Sequence, residues 1–124
     1  MNFVEKRKLL KESNFLELTP VKVMAHEIRE EGLVNILMPR FKNIYLSRMF
    51  QPRRKEKVIK IKLDASGSKV WLKIDGITKV SEICEHLAAE NPSLFTSVPE
   101  TETRVTRFLS MLYLQRYITF REIQ

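Results

Sequence analysis

The residue types that most often carry chemistry are rare in this chain, and three of them lie close together on one predicted helix. Glu82, Cys84 and His86 suggest a metal site at first sight. Cys84 and His86, however, are two positions apart, so on a helix their side chains point to nearly opposite sides and cannot bind one ion. Glu82 and His86 share a face, but two ligands do not make a site. We therefore expect no metal here.

Catalytic and cofactor-binding motifs are not evident elsewhere in the sequence. His26 lies on a predicted strand without a catalytic constellation, so we expect a packed or exposed polar residue. Three glycines, Gly32, Gly67 and Gly76, allow neither a dinucleotide fingerprint nor a phosphate-binding loop. Cys84 lies on an apolar helical stripe, where we expect a small buried hydrophobe. The sequence predicts a protein that is not an enzyme and has no cofactor.

Length and composition favour one domain. The chain has 124 residues, of which 44% are apolar, enough for a single buried core. The charged start does not resemble a secretory signal, and no uncharged apolar run approaches the roughly 20 residues of a membrane-spanning helix. We expect a cytoplasmic protein with an N-terminal arm at 1–18 and a single domain at 19–124.

The net charge of +7 is concentrated in one segment. Nine lysines and arginines lie between Arg40 and Lys62, against one acid, Glu56. A basic insertion of this kind, at 40–57, raises the local concentration of acidic peptides, nucleic acids or anionic membranes. The same composition is equally typical of a solvated connector.

Three helices are predicted in the second half of the chain. The first is expected at 67–75, capped by Ser66 and followed by Gly76. The second begins after Thr78 and ends near Glu90, because Pro92 forbids its continuation. The third begins at Ser97, in a capping-box spacing, and buries a stripe of three apolar residues. Those residues are Val105, Leu109 and Leu112.

Short strands are predicted around these helices. The runs 21–28 and 33–38 are apolar and flank a glycine-containing turn, which indicates a β-hairpin. Residues 58–63 alternate, with isoleucines and leucine on one face and lysines on the other. Residues 117–123 also alternate, which predicts a short strand in the position of a wing beside a helix-turn-helix. The apolar residues of 41–49 have helical spacing, which predicts a short helix. The predicted fold is α+β: a winged helix-turn-helix-like three-helix core with an N-terminal β-hairpin and a small three-stranded antiparallel sheet.

Several of these residues together resemble the signature of the PqqD-like family. The matching segments are Leu63-Asp-x-x-Gly67-x-x-Val-Trp71, then Ile74-Asp-Gly-x-Thr78 with Glu82-Ile83, then Phe108-Leu109-x-x-Leu112-x-x-x-Arg-Tyr-Ile118. The resemblance covers 58–118. The chain departs from the family in its basic insertion and in Arg116-Tyr117, which stand where a glycine-leucine pair is common.

The resemblance implies a recognition element for ribosomally made, post-translationally modified peptides. Such a protein is a peptide chaperone that binds the leader of a precursor peptide and presents it to a modifying enzyme, often of the radical SAM type. A leader would add as a strand to the edge of 58–63, and the third helix would form the other wall of a groove. The predicted peptide-binding residues are Val58, Ile59, Lys60, Ile61, Lys62, Leu63, Arg104, Arg107, Phe108 and Met111.

Two other functions remain open at this point. A winged helix-turn-helix with a pI near 9.7 is also typical of nucleic-acid-binding proteins. The predicted reading helix argues against DNA, because it carries Glu82, Glu85 and Glu90 against Lys79 alone. Nucleic acid or membrane binding through the basic insertion needs no such helix. A free sheet edge could instead pair with its copy in a homodimer.

Overall fold

The computed structural model describes residues 15–39 and 58–123. Its strands and helices are, in chain order, β1 (Pro20–Lys22), β2 (Ala25–Ile28), β3 (Val34–Pro39), β4 (Val58–Lys62), α1 (Ala65–Lys73), α2 (Val80–Glu90), α3 (Val98–Leu114) and β5 (Ile118–Phe120). Short 3-10 turns lie at Phe15–Glu17, Glu30–Gly32 and Arg121–Ile123. The predicted α+β class is confirmed. The basic insertion, the predicted helix at 41–49 and residues 1–14 lie outside the described residues.

The strands form two antiparallel sheets, β2-β3-β4 and β1-β5. The predicted hairpin is present as β2 and β3, but the single strand expected at 21–28 is wrong. Its first part is β1, which pairs with β5. The backbone N–H of Val23 donates to the carbonyl oxygen of Tyr117 at 3.0 Å, which holds this segment beside the end of the chain. Pairing with β3 begins only at Ala25.

Helix α1 begins two residues earlier than predicted. The carboxylate of Asp64 accepts a hydrogen bond from the backbone N–H of Gly67 at 2.7 Å, so Asp64, and not Ser66, is the N-cap. An ionised carboxylate is a strong acceptor at this end of the helix dipole, where the hydroxyl of Ser66 is free to bond elsewhere. The helix also ends two residues earlier than predicted, with Ile74 as an extended C-cap, so Gly76, with φ +77°, lies in the turn that follows and not directly after the helix.

The turn between α1 and α2 is held by the side chain of Asp75. Its carboxylate accepts the backbone N–H groups of Ile77 at 2.9 Å and Thr78 at 2.7 Å, and also the hydroxyl of Thr78 at 2.8 Å. The hydrogen bond from the Thr78 backbone is the main cause of a lowered pKa for Asp75. Thr78 therefore closes the turn and does not cap α2 as predicted. At the start of α2 the side chain of Glu82 accepts the N–H of Lys79 at 3.4 Å.

The core lies between the inner face of the larger sheet and the three helices. Trp71 is fully buried in it, and a buried indole of this kind contributes about 3 kcal/mol or more to stability. Cys84 is also buried, as predicted, and burial raises the pKa of its thiol to about 12. The predicted stripe of α3 is buried, and Ser97 caps that helix. The residues of the stripe are Val105, Leu109 and Leu112.

Both ends of the described chain pack against this core. Leu18, the last residue of the predicted arm, is buried, and Phe15 contacts Phe120 with ring centroids 5.3 Å apart. Strand β5 follows α3 and, with β1, forms a two-stranded sheet at the position predicted for a wing. These contacts fix α3 relative to the helices before it.

Candidate functional site

Strand β4 is an edge strand of the larger sheet, and the ladder decides which of its backbone groups face outward. Within the described residues it pairs with β3 alone. The N–H of Leu63 donates to the carbonyl oxygen of Val34 at 2.9 Å. Because hydrogen-bonded positions alternate along an antiparallel pair, Ile59 and Ile61 also bond to β3. The backbone groups of the alternate residues therefore point away from the sheet. Those residues are Val58, Lys60 and Lys62.

A groove of about 720 Å³ begins where β4 ends and continues along α3. It brings together six of the ten predicted peptide-binding residues: Lys62, Leu63, Arg104, Arg107, Phe108 and Met111. The remaining four, at 58–61, lie along β4 outside this lining. The groove is also lined by residues that the sequence did not indicate as part of a site, among them Asp64, Ser66, Gly67 and Phe95.

The floor of the groove depends on a close approach between α1 and Phe108. A Cβ atom on Gly67 would lie 3.2 Å from Cζ of Phe108 and 3.1 Å from the Asp64 carboxylate oxygen. Gly67 therefore lets the first turn of α1 lie directly against the Phe108 ring, which is partly buried. The sequence signal for this contact is Gly67 itself, because a glycine inside a helical pattern usually has a packing reason.

Arg104 lines the groove as a fixed side chain. Its guanidinium donates to the carbonyl oxygen of Leu94 at 2.5 Å and to the hydroxyl of Ser66 at 3.0 Å. It also lies over the ring of Phe95, 5.1 Å from the centroid. These contacts join α3 to the start of α1 and to the loop that precedes α3. Part of its hydrogen-bonding capacity is thus already used within the protein.

Arg107 and Met111 differ from Arg104 in their surroundings. Arg107 is exposed and makes no hydrogen bond or ion pair with another described residue, and the Met111 side chain is 45% exposed. Met111 lies beside both Arg107 and Phe108 on the surface of α3, since it is four positions from the first and three from the second. This face of α3 presents one cation beside an apolar strip.

The groove has a positive balance of charge. Three cationic residues line it, Lys62, Arg104 and Arg107, against one acidic residue, Asp64. Lys60, two residues before Lys62 on β4, pairs with Glu27 at 3.1 Å on the outer face of the sheet. Its side chain is nevertheless half exposed, so the pair is accessible to solvent. An anionic partner would meet favourable charge at this edge.

The remaining candidate residues lie apart from the groove. His26 lies near Trp71, with ring centroids 6.1 Å apart, and its pKa is lowered by burial and by Lys22. Within 15–39 and 58–123, no three histidine, cysteine or acidic side chains lie close enough to bind a metal ion. In the same ranges no helix is long and apolar enough to cross a bilayer.

The exposed face of α2, the helix that would read DNA, is acidic. Glu82, Glu85 and Glu90 are all exposed. The carboxylate of Glu90 bonds to Lys73 at 2.6 Å, which leaves the other two without an ion pair in the described part of the chain. A surface of this charge repels phosphates.

Comparison with known proteins identifies a family. The model of the family described as coenzyme PQQ synthesis protein D (PqqD) matches residues 54–118, slightly more than half of the chain. The matched segment includes β4, the three helices and the groove, and does not reach β1, β2 or β3. No curated protein and no solved structure matches the chain.

Proposed function

Because the chain belongs to the PqqD family, we propose that it is a peptide chaperone that binds the leader of a precursor peptide and presents it to a modifying enzyme. The family is a non-catalytic accessory family in the biosynthesis of coenzyme PQQ and of modified peptides. For this chain, the peptide-binding function, the strand-addition mechanism and the partnership with a radical SAM enzyme are parts of the proposal.

The observation that carries the proposal is the position of the β4 edge beside the groove. The outward backbone groups of Val58, Lys60 and Lys62 offer donors and acceptors to an incoming strand. At the end of the same strand, the groove offers the apolar side chains of Phe108 and Met111. Strand addition uses this combination: main-chain hydrogen bonds provide affinity and side-chain pockets provide specificity.

The presenting role requires that the bound peptide stay accessible to the enzyme. A peptide added to β4 would become the outermost strand of the sheet that the described residues form, with one side toward α3. The leader would be held by its backbone, while the segment to be modified extends beyond the protein. This division of tasks needs no catalytic residue in the chaperone.

The proposal is tested by amide NMR of the labelled protein, titrated with short peptides encoded beside its gene and, in parallel, with duplex DNA at two salt concentrations. We expect saturable peptide-induced shifts at the amides of β4 and α3. Diffuse shifts within 40–57 that appear with DNA and disappear at the higher salt concentration would instead make the basic insertion the working surface.

A further inference from the structure

We propose that the ligand of the β4 edge is a segment in which apolar and acidic residues alternate, the apolar ones facing α3 and the acidic ones facing the lysines of β4. This inference rests on the proposed function, because it specifies the sequence of the strand that would be added. It follows from the two faces that β4 presents.

The two faces of β4 differ in charge. Ile61 and Leu63 point toward the helices, where Leu63 is buried and Ile61 packs against the core. Lys60 and Lys62 point to the opposite, outer face and are exposed. Side chains directly across a pair of strands lie on the same face of the sheet. A strand paired with β4 therefore places its own side chains alternately beside these apolar and cationic rows.

The inner row of the ligand would meet an apolar surface. Residues opposite Ile61 and Leu63 point toward α3, where Phe108 and Met111 line the groove with Val70 of α1. The Phe108 ring is held by its contact with Gly67, and Met111 is 45% exposed and able to adapt its shape. When an apolar side chain of the ligand is buried here, its own apolar surface and that of the groove are both removed from water.

The outer row of the ligand would meet positive charge. Lys62 has no ion-pair partner among the described residues. The side chain of Lys60 pairs with Glu27 but is still 50% exposed. Asp64, just after the end of β4, lines the groove, and its carboxylate is occupied by the helix cap. The acidic positions of the ligand are therefore expected opposite Lys60 and Lys62, and an uncharged residue is expected near Asp64. Like charges directly opposite would destabilise the pairing.

The test uses synthetic peptides of about eight residues, long enough to pair along β4. One alternates leucine and glutamate, a second alternates leucine and glutamine, and a third alternates leucine and lysine. A fourth has the composition of the first with its leucines and glutamates in two blocks. Affinities are measured by fluorescence anisotropy, and the site is located by amide shifts of β4 and α3. We expect the first peptide to bind about tenfold more tightly than each of the other three.

Charge-reversed variants assign the preference to the outer face. Lys62→Glu should reduce the affinity of the leucine-glutamate peptide about fivefold and increase that of the leucine-lysine peptide. The matched control is Lys69→Glu, which makes the same charge change at an exposed position of α1 outside the groove lining. It should change neither affinity by more than about twofold.

Two failures are distinguishable. If all four peptides shift the β4 and α3 amides with equal affinity, or if Lys69→Glu acts like Lys62→Glu, the alternating pattern is overturned while strand addition stands. If neither these peptides nor those encoded beside the gene shift the β4 amides, the proposed function itself is overturned, and the pattern with it.

Discussion

Among the described residues the larger sheet has two edges, β2 and β4, and they differ in what surrounds their outward backbone groups. On β2, the N–H of Arg29 donates to the carbonyl oxygen of Leu33 at 2.7 Å, so the alternation of the ladder turns His26 and Ile28 outward. On β4 the outward residues include Lys60 and Lys62. Each edge thus offers backbone donors and acceptors that no other strand in 15–39 and 58–123 pairs. The groove continues from β4 along α3, and no residue of β2 lines it.

This difference indicates that backbone pairing alone does not select a partner. A copy of the chain could pair at β2, where Ile28 is 60% exposed and gives an apolar contact without a groove. At β4 two lysines repel the β4 edge of a second copy, and the groove favours a partner whose side chains fit it. The β4 edge is therefore the better candidate for selective peptide binding, and the β2 edge for a homodimer.

The largest effect is expected from proline at an outward position of each edge. Lys60→Pro removes an outward N–H and leaves the bonds of β4 to β3 in place, because proline is tolerated on the solvent side of an edge strand. We expect peptide affinity to fall about thirtyfold, which corresponds to about 2 kcal/mol. Ile28→Pro is the matched control at β2 and should change affinity less than about twofold. Both are measured by isothermal titration calorimetry.

The charge of Lys60 must be separated from its N–H in that experiment. Lys60→Gln keeps the backbone donor and removes the cation, so it should lose only about threefold in affinity. If Ile28→Pro weakens binding as much as Lys60→Pro, the two edges are not distinguished by the peptide and the assignment to β4 is wrong.

A second prediction separates the two arginines of the groove. Arg104→Ala removes the hydrogen bonds to Leu94 and Ser66 and should lower the free energy of unfolding by about 1 kcal/mol, a value reduced by the exposure of these bonds. Arg107→Ala removes no contact with a described residue and should leave stability within about 0.5 kcal/mol while weakening an acidic peptide about threefold. Urea denaturation and anisotropy provide the two measurements. Equal loss of stability in both variants would contradict this division.

A smaller effect is expected at the floor of the groove. Gly67→Ala introduces a Cβ atom 3.2 Å from Phe108, so the ring must move by a few tenths of an ångström. Alanine favours a helix by about 1 kcal/mol over glycine, which offsets part of the strain. We expect nearly unchanged stability and an affinity about twofold to threefold lower. Lys69→Ala, on the exposed side of α1, is the control, and a similar loss in that variant would exclude the Gly67–Phe108 contact as the cause.

The smallest effect concerns pH at the β2 edge. The pKa of His26 is lowered by burial, and Lys22 lowers it further. As pH falls through the ordinary histidine pKa of about 6.5, the unfolded chain takes up the proton first, so the free energy of unfolding decreases until the folded protein is protonated as well. His26→Gln should remove this decrease. Urea denaturation at pH values of about 7.5 and 5.5 measures the decrease in the unmodified protein and in the variant, and an equal decrease in both would contradict the assignment to His26.

Periodicity was sufficient to predict the three helices of the second half of the chain, the strands β3, β4 and β5, and most of the core. The alternation in 58–63 and the apolar stripe of α3 each mark one face of an element. The structure buries Leu63 and the stripe of α3, whereas Ile59 is 40% exposed. The boundary errors have local causes. Asp64 competes with Ser66 for the same cap, and Asp75 takes Thr78 into a turn. A pattern of apolar residues does not reveal which of two neighbouring polar side chains bonds to a helix end.

The groove was predictable only in outline. The resemblance drew attention to β4 and α3, and the structure places six of the ten named residues around one groove. The sequence could not reveal that Arg104 is held by Leu94, because that contact depends on how the loop before α3 folds back. Nor could it reveal that the chain moves from one sheet to the other between β1 and β2. Both depend on tertiary contacts, which leave no periodic pattern in the sequence.

Amide hydrogen exchange at the two sheet edges, measured with and without a saturating leader peptide, tests the central claim most directly. Strand addition at β4 should slow exchange at the outward amides of Lys60 and Lys62 at least about tenfold, since each gains a hydrogen-bond acceptor, and leave His26 and Ile28 unchanged. Protection at His26 and Ile28, or binding without protection at Lys60 and Lys62, would contradict it.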